Sequence, residues 1–191
     1  MAIYFTADTH FGHTNIIKYC NRPFKSCEEM DEILYNNWSS TVQNSDEIYH
    51  LGDVIFGQNL NNAKKYISKI STLSGKKFLI PGNHDPKYIH LLQDAFTLVH
   101  EIHTINAQIH ATRQFFVLCH YPMLTWQGIF RGVRQLFGHV HGLIAPNKKR
   151  CDVGVDVWSY TPVRLETLLA YMDSLPDMEI PDQRTSLTEE E

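Results

Sequence analysis

No stretch of this chain stays apolar for the roughly 18 residues that a membrane-crossing helix requires. The opening Met1-Ala2-Ile3-Tyr4-Phe5 lacks the basic leader and long apolar segment of a secretory signal. No signal peptide, no membrane partner and a cytoplasmic setting are therefore expected. Close cysteine pairs are missing as well. Cys20, Cys27, Cys119 and Cys151 form no Cys-x-x-Cys element, so reduced thiols are the expectation. Positive charge is not in excess either. Net charge is −4 with 17 Lys and Arg against 21 Asp and Glu, which argues against an overall basic surface for a long nucleic acid. Glycine and proline number 10 and 8 among 191 residues, too few for a low-complexity chain, and no repeat or interdomain linker is visible. Histidine is the exception, with 11 copies. Histidine ligates transition metals and serves as acid or base, so the positions of those 11 carry the argument.

The length suits one domain with a sizeable core, expected over residues 1–173, followed by an acidic, mobile tail over 174–191. Apolar runs at Ile3–Ala7, Glu47–Leu51 and Lys77–Ile80 read as buried strands. Between them lie a short helix at Asn15–Cys20 and amphipathic helices at about 27–41 and 59–70, the first opened by capping-box spacing at Ser26-Cys27-Glu28-Glu29. A short helix is expected at about Pro86–Leu92. Thereafter the pattern turns to strands at Leu98–Ile105, Ala107–Ala111, Gln114–Cys119, Gln135–Phe137 and Val153–Val157. Thr161-Pro162 reads as an N-cap with proline at the first helical position, opening a last helix to about Met172. A βαβα-like first half and a strand-rich second half fit two packed sheets with helices outside.

Five short segments each follow directly on such a run: Asp8-Thr9-His10, Gly52-Asp53, Gly82-Asn83-His84-Asp85, His120-Tyr121-Pro122 and Gly138-His139-Val140-His141. Strand ends in open α/β sheets are where sites gather. Asp8 and His10 are two apart, as are His139 and His141, so an extended backbone points each pair to one side. Taken singly, each fragment reads as an ordinary turn. The five in series carry two carboxylates, four histidines and an amide oxygen, enough for two cations with one carboxylate shared. No cysteine joins them, so a closed thiolate zinc site is not indicated. Mixed imidazole and carboxylate donors suit borderline divalent ions, with manganese the first choice and iron, zinc or nickel as alternatives. Two such ions clamp a phosphoryl group and lower the pKa of a water between them.

This series resembles the calcineurin-like metallophosphoesterases over roughly residues 3–157. The resemblance implies a four-layer αββα sandwich of two mixed β-sheets flanked by helices. It assigns Asp8, His10 and His141 to one metal, Asn83, His120 and His139 to the other, and Asp53 to the bridge. It gives His84 the substrate phosphate and the leaving oxygen, and gives Asp85 the task of orienting His84. Gly52-Asp53 continues as Val54-Ile55-Phe56-Gly57, and the later motif ends in Asp85 rather than Glu; both depart from the protein Ser/Thr phosphatase branch. The chain is similar instead to a compact subgroup of bacterial and phage phosphoesterases that also places Phe-Gly-His after the first motif.

The remaining candidates divide between site and scaffold. His13 and Asn15 are candidates for phosphate contact, against a local turn bond. Arg22 and Arg131 are candidates for bidentate phosphate contact, against solvated surface arginines. Trp126 and Phe130 suit either an apolar wall or the core. His50, His90, His100, His103 and His110 read as structural. Cys119 is expected to be buried and inert, and Asp152 and Asp156 to serve strands or turns. The expected activity is metal-dependent hydrolysis of a small or nucleotide-like phosphodiester. A phosphomonoesterase, a nuclease and a catalytically idle binding module are the alternatives. The oligomeric state is not legible.

Overall fold

The computed structural model describes residues 1–57, 59–109 and 111–178. Most of the tail expected over 174–191, and His110, lie outside the described residues. Three parallel strands begin the chain: β1 (Ile3–Thr6), β2 (Glu47–His50) and β3 (Lys76–Leu79). Parallel neighbours need crossover connections, and the helices α2 (Cys27–Thr41) and α3 (Leu60–Ser71) supply them after the short α1 (Ile16–Tyr19). Helix α2 begins where the capping signal sits. Ser26 Oγ accepts from Glu29 N at 3.2 Å, while Glu29 Oε2 reaches back to accept from Lys25 N at 2.6 Å. Asn59 caps α3 in the same way, accepting from Asn62 N.

A short strand β4 (Thr97–Leu98) extends this sheet beside β3, and β9 (Val163–Arg164) closes its other edge antiparallel to β1. The second sheet runs β5 (Ile102–Ile109), β6 (Thr112–Cys119), β7 (Arg134–Phe137) and β8 (Arg150–Asp152). Its first pair is antiparallel and the next two are parallel. Both sheets are therefore mixed, and helices accompany them.

Alternation along the strands makes the layers. Phe5, Tyr49, Leu51 and Ile80 face inward with Phe116, Leu118 and Leu136 from the second sheet. Their neighbours Tyr4, Ile48 and Leu79 pack outward against Met30, Leu34 and Trp38 of α2 and Ile67 and Ile70 of α3. Helix α5 (Leu165–Ser174) joins the inner cluster through Leu165, Leu168 and Met172. Between β3 and β4 the chain makes a 3₁₀ turn at Asp85–Tyr88 and the short helix α4 (Ile89–Leu92).

Three expectations are corrected here. Residues 102–109 form one unbroken strand rather than two. Val153–Val157 is no strand: β8 stops at Asp152, whose carboxylate accepts from Gly154 N and Gly142 N and turns the chain. Thr161-Pro162 precedes β9, not a helix, and α5 starts three residues after Pro162. A proline fits there because it leads into an edge strand.

Register places the site. Thr6 pairs with His50, and His50 with Leu79, so three strands end level and their loops emerge side by side with Asp8, Asp53 and Asn83. Strands β6, β7 and β8 likewise run parallel, delivering His120, His139 and Asp156 to their own common edge. A bridge between Ala7 and Gly154 joins the two edges. Among the described residues no helix is long and apolar enough to cross a membrane.

Candidate metal centre

The structure brings all seven expected ligands together, by a backbone route the sequence did not suggest. Asp8, His10, Asp53, His139 and His141 have φ of 57°, 50°, 57°, 72° and 48°. These residues are left-handed, not extended, so Asp8 and His10 converge by successive tight turns, as do His139 and His141. Non-glycine residues in this region cost of order 1–3 kcal/mol each and cluster at functional sites. Glycines make the room. A Cβ on Gly82 would sit 2.4 Å from Asp53 Oδ1, and one on Gly138 would sit 2.5 Å from Asp8 Oδ2.

Two donor groups result, each within 4.8 Å atom to atom: Asp8, His10 and His141, and Asp53, His120 and His139. Asn83 Oδ1 lies 3.1 Å from His120 Nε2 and so borders the second group. Asp53 Oδ2 lies 3.6 Å from His10 Nε2 and 3.6 Å from His120 Nε2. One carboxylate oxygen thus stands between the two groups.

The surrounding contacts aim the donors. His120 Nδ1 donates to Leu51 O at 2.6 Å, which leaves Nε2 with its lone pair toward the site. His141 Nδ1 donates to Asp156 Oδ2 at 2.7 Å, with the same effect. Asp156 in turn is held by Arg22, whose Nη2 also donates to Asp8 O at 2.7 Å and whose Nη1 donates to Thr9 O at 3.2 Å. Burial pushes the Asp156 carboxyl up, but the hydrogen bonds from His141 and Arg22 outweigh it and hold it below the usual range.

The electrostatics call for cations. Burial, then the charges of Asp152 and Asp53, push the Asp8 carboxyl well above its ordinary value. Burial also raises Asp53. Burial lowers His10 well below its ordinary range and lowers His120 to about 4. The buried carboxylates crowd one another, burial disfavours the charged forms of His10 and His120, and Asp8 Oδ1, His10 Nδ1 and His10 Nε2 are buried without a hydrogen-bond partner. A divalent ion would relieve this crowding by favouring the deprotonated carboxyls, and carboxylate and imidazole donors of this kind fit such ions. A further trio, Cys20, His141 and Asp156, lies within the same distance. The Asp156 oxygens there are already engaged by Arg22 and His141.

His84 borders the groups. Its backbone N donates to Asp53 Oδ1 at 2.9 Å, and its Nε2 lies 3.8 Å from Asp53 Oδ2 with the side chain 35% exposed. Distance alone also lets His84 join His10 and Asp53 as a donor. A cavity of about 380 Å³ opens over the site, lined by His10, Asp53, His84 and His139 together with His13, Tyr19 and Phe56.

The other expected residues divide between those the structure corrects and those it places as read. Asp85 does not orient His84. Its buried carboxylate accepts from Asp53 N, Gly82 N and Val54 N at 2.8–3.0 Å, so it holds the two glycine-bearing loops in place. Arg22 is not a substrate contact, because its side chain is fully buried against Asp156. Arg131 lines a separate depression with Thr104, Phe115 and Gln127, which shares no residue with the cavity over the donors. Trp126 is core, packed with Val117 and Ile129. His13 does line the cavity; burial lowers it to about 4 and its ring stacks on Phe56 at 3.9 Å. Cys119 is buried and burial raises its thiol pKa. Asp156, Tyr19 and Phe56 were missed as site residues. Asp156 left no signal, since its partners lie 15 and 134 positions away.

No family model matches the chain. It is 35% identical over 178 residues to the uncharacterized protein MJ1445 of Methanocaldococcus jannaschii, covering 90% of this chain and 91% of that one. The chain belongs to the family of that archaeal protein. The gene 66 protein of Mycobacterium phage L5 is 26% identical over 181 residues, covering 81% and 86%. Among solved structures, the protein of unknown function AQ665 from Aquifex aeolicus matches with a TM-score of 0.65 at 24% identity, over 89% of this chain and 98% of that one. That likeness establishes the fold. A conserved uncharacterized protein of Streptococcus pneumoniae TIGR4, described as a predicted phosphoesterase, aligns at 12% identity over 80% and 70% with a TM-score of 0.34, too weak a likeness to bear on the site.

Proposed function

We propose that this chain is a dinuclear-metal phosphoesterase of the calcineurin-like type that hydrolyses a small or nucleotide-like phosphodiester. The observation that supports it is the placement of Asp53 Oδ2 at 3.6 Å from both His10 and His120. A shared carboxylate oxygen between two imidazole-bearing groups is what a pair of ions needs. Asp8, His10 and His141 would hold one ion and Asn83, His120 and His139 the other, with Asp53 common to both. When bound, manganese or a similar divalent ion supplies charge for the phosphoryl oxygens and acidifies water.

The chain's own residues do the rest. Arg22 and Asp156 fix His141, and Leu51 O fixes His120, so neither imidazole must reorient on binding. Asp85 holds Asp53 and Gly82 by their amides. His84, whose Nε2 lies 3.8 Å from Asp53 Oδ2, would meet the phosphate and hold or give a proton at the leaving oxygen. The cavity volume of about 380 Å³ falls in the range of small-ligand sites.

A panel of monoesters, linear diesters and cyclic nucleotides, tested on protein reconstituted with manganese and again with a chelator, decides the reading. Chelator-sensitive turnover of a diester is the expected result. Preference for a monoester would move the assignment to a phosphatase. Absence of turnover on every ester would favour a binding module instead.

A further inference from the structure

One side of the cavity is an aromatic wall. Phe56 and His13 stack with centroids 3.9 Å apart and planes 18° from parallel. His84 stands edge-on to Phe56 at 5.4 Å. Tyr19 stands edge-on to His13 at 6.2 Å and 78°. Phe56 and His13 each cover one face of the other, and Tyr19, 74% exposed, is the most open ring of the wall. An exposed tyrosine on its own is unremarkable. This one forms the rim of the cavity whose floor is the donor cluster.

The wall has a chemistry of its own. No lysine or arginine lines this cavity among the described residues, so outside the donor cluster no cationic side chain is available to grip a charged substituent. Beyond the donor cluster the cavity offers the rings of His13, Tyr19, Phe56 and His84, with Asn15 and Ile16 beside them. The wall also includes His84, so it lies on the side where an ester oxygen would face that imidazole.

We propose that Tyr19, at the end of the His13–Phe56 stack, is a stacking platform for a planar ring carried on an ester substituent of the phosphate. The substrates are then esters bearing a nucleobase or an aryl group. The inference rests on the phosphoester reading above and narrows it.

Non-hydrolysable phosphonates test it on the manganese-loaded protein. Ethylphosphonate, benzylphosphonate and 5′-deoxyadenosine 5′-phosphonate share a headgroup and differ in the ring. Affinity is read by calorimetry, independently of turnover. Ring-bearing phosphonates should bind about tenfold more tightly than ethylphosphonate, within the range of base–aromatic stacking. A further gain for the adenosine compound assigns the platform to a nucleobase, and parity with benzylphosphonate assigns it to an aryl group. Tyr19→Phe should keep the preference and Tyr19→Ala should abolish it. Tyr121, the 46% exposed tyrosine beside His139, is the control. Loss of the preference in Tyr121→Ala but not in Tyr19→Ala overturns the proposal, as does equal affinity of all three phosphonates for the wild type. Ring preference without turnover of any ester would keep the platform and reject hydrolysis. Failure of every phosphonate to bind rejects the platform, and the ester panel then decides hydrolysis separately.

Discussion

Arg22 grips Asp156 with two parallel contacts, Nε to Oδ1 and Nη2 to Oδ2, both at 2.8 Å. The side chains are 0% and 7% exposed, so this is a buried, bidentate pair. Its far end holds His141, and its near end holds the carbonyls of Asp8 and Thr9. Arg22→Met should lower affinity for the ion at Asp8, His10 and His141 by about 10–100-fold, as removing an outer partner of a ligating histidine does. Leaving Asp156 with a lost partner in the interior should also cost about 3–5 kcal/mol of stability. Arg22→Lys should not restore either property, because one ammonium cannot span the same acceptors. Metal titration and urea unfolding at saturating manganese measure the two effects; unchanged affinity for both ions would refute the role.

Asp53 and Asp8 should behave differently. Asp53→Asn removes the charge that both groups share, so both ions should weaken together. Asp8→Asn removes a donor from one group and should chiefly weaken one ion. Stoichiometry by elemental analysis after dialysis against graded manganese separates them. Loss of the same single ion in both variants would contradict the bridge.

His84→Ala addresses the leaving group. The variant should fold and keep two ions, since six other donors and Asn83 remain. Turnover of alkyl or nucleotide esters should fall by about 10²–10⁴-fold, the usual contribution of a positioned acid, with a smaller loss for nitrophenyl esters, whose phenolate departs unaided. Loss of one ion instead would make His84 a ligand, an arrangement its 3.8 Å approach to Asp53 Oδ2 permits.

His50 sets an acid limit on stability. Thr9 Oγ1 donates to Val54 O, so it accepts from His50 Nε2, and Nδ1 is buried without a partner. Burial, then the nearby His120, lowers His50 to about 3 from 6.5. Above pH 6.5 the residue is neutral whether folded or unfolded. Between 6.5 and about 3 only the unfolded chain takes up the proton, so stability falls as pH falls, by about 1.4 kcal/mol per pH unit for one proton. His50→Gln should flatten that limb by about one proton relative to wild type in metal-free protein. Parallel urea midpoints from pH 7 to 4 would show that His50 does not carry the proton.

Much of this was legible wherever the signal is local. The apolar runs of β1, β2 and β3 and the Ser26 cap lie within a few residues of what they specify. The donor residues were legible for the same reason, each following directly on a strand. What could not be read depends on partners far along the chain. Arg22 and Asp156 are each plain turn residues until folding places them together across 134 positions. Asp85 belongs to a recognisable motif, yet its oxygens go to amides 31 and 32 residues earlier. The left-handed backbone at Asp8 and His10 was invisible because nothing in Asp-x-His distinguishes an extended segment from a pair of tight turns. Val153–Val157 looked like a strand because it is apolar, but Asp152 satisfies the amides of Gly154 and Gly142 and pulls the chain out of the sheet.

The donor group of Asp8, His10 and His141 also has a fixed time at which it can come into being. His139 N reaches Asp8 Oδ2 across 131 positions, and Arg22 reaches Asp156 across 134. Contacts so distant in sequence close late, because chain entropy must be surrendered before they form. During synthesis the emerging amino-terminal half therefore carries Asp8, His10 and Asp53 with no His139, His141 or Asp156 to complete them. On the proposed reading, loading of that ion would wait until residue 156 has emerged from the ribosome, and tight retention of metal would mark a chain whose two sheets have already met.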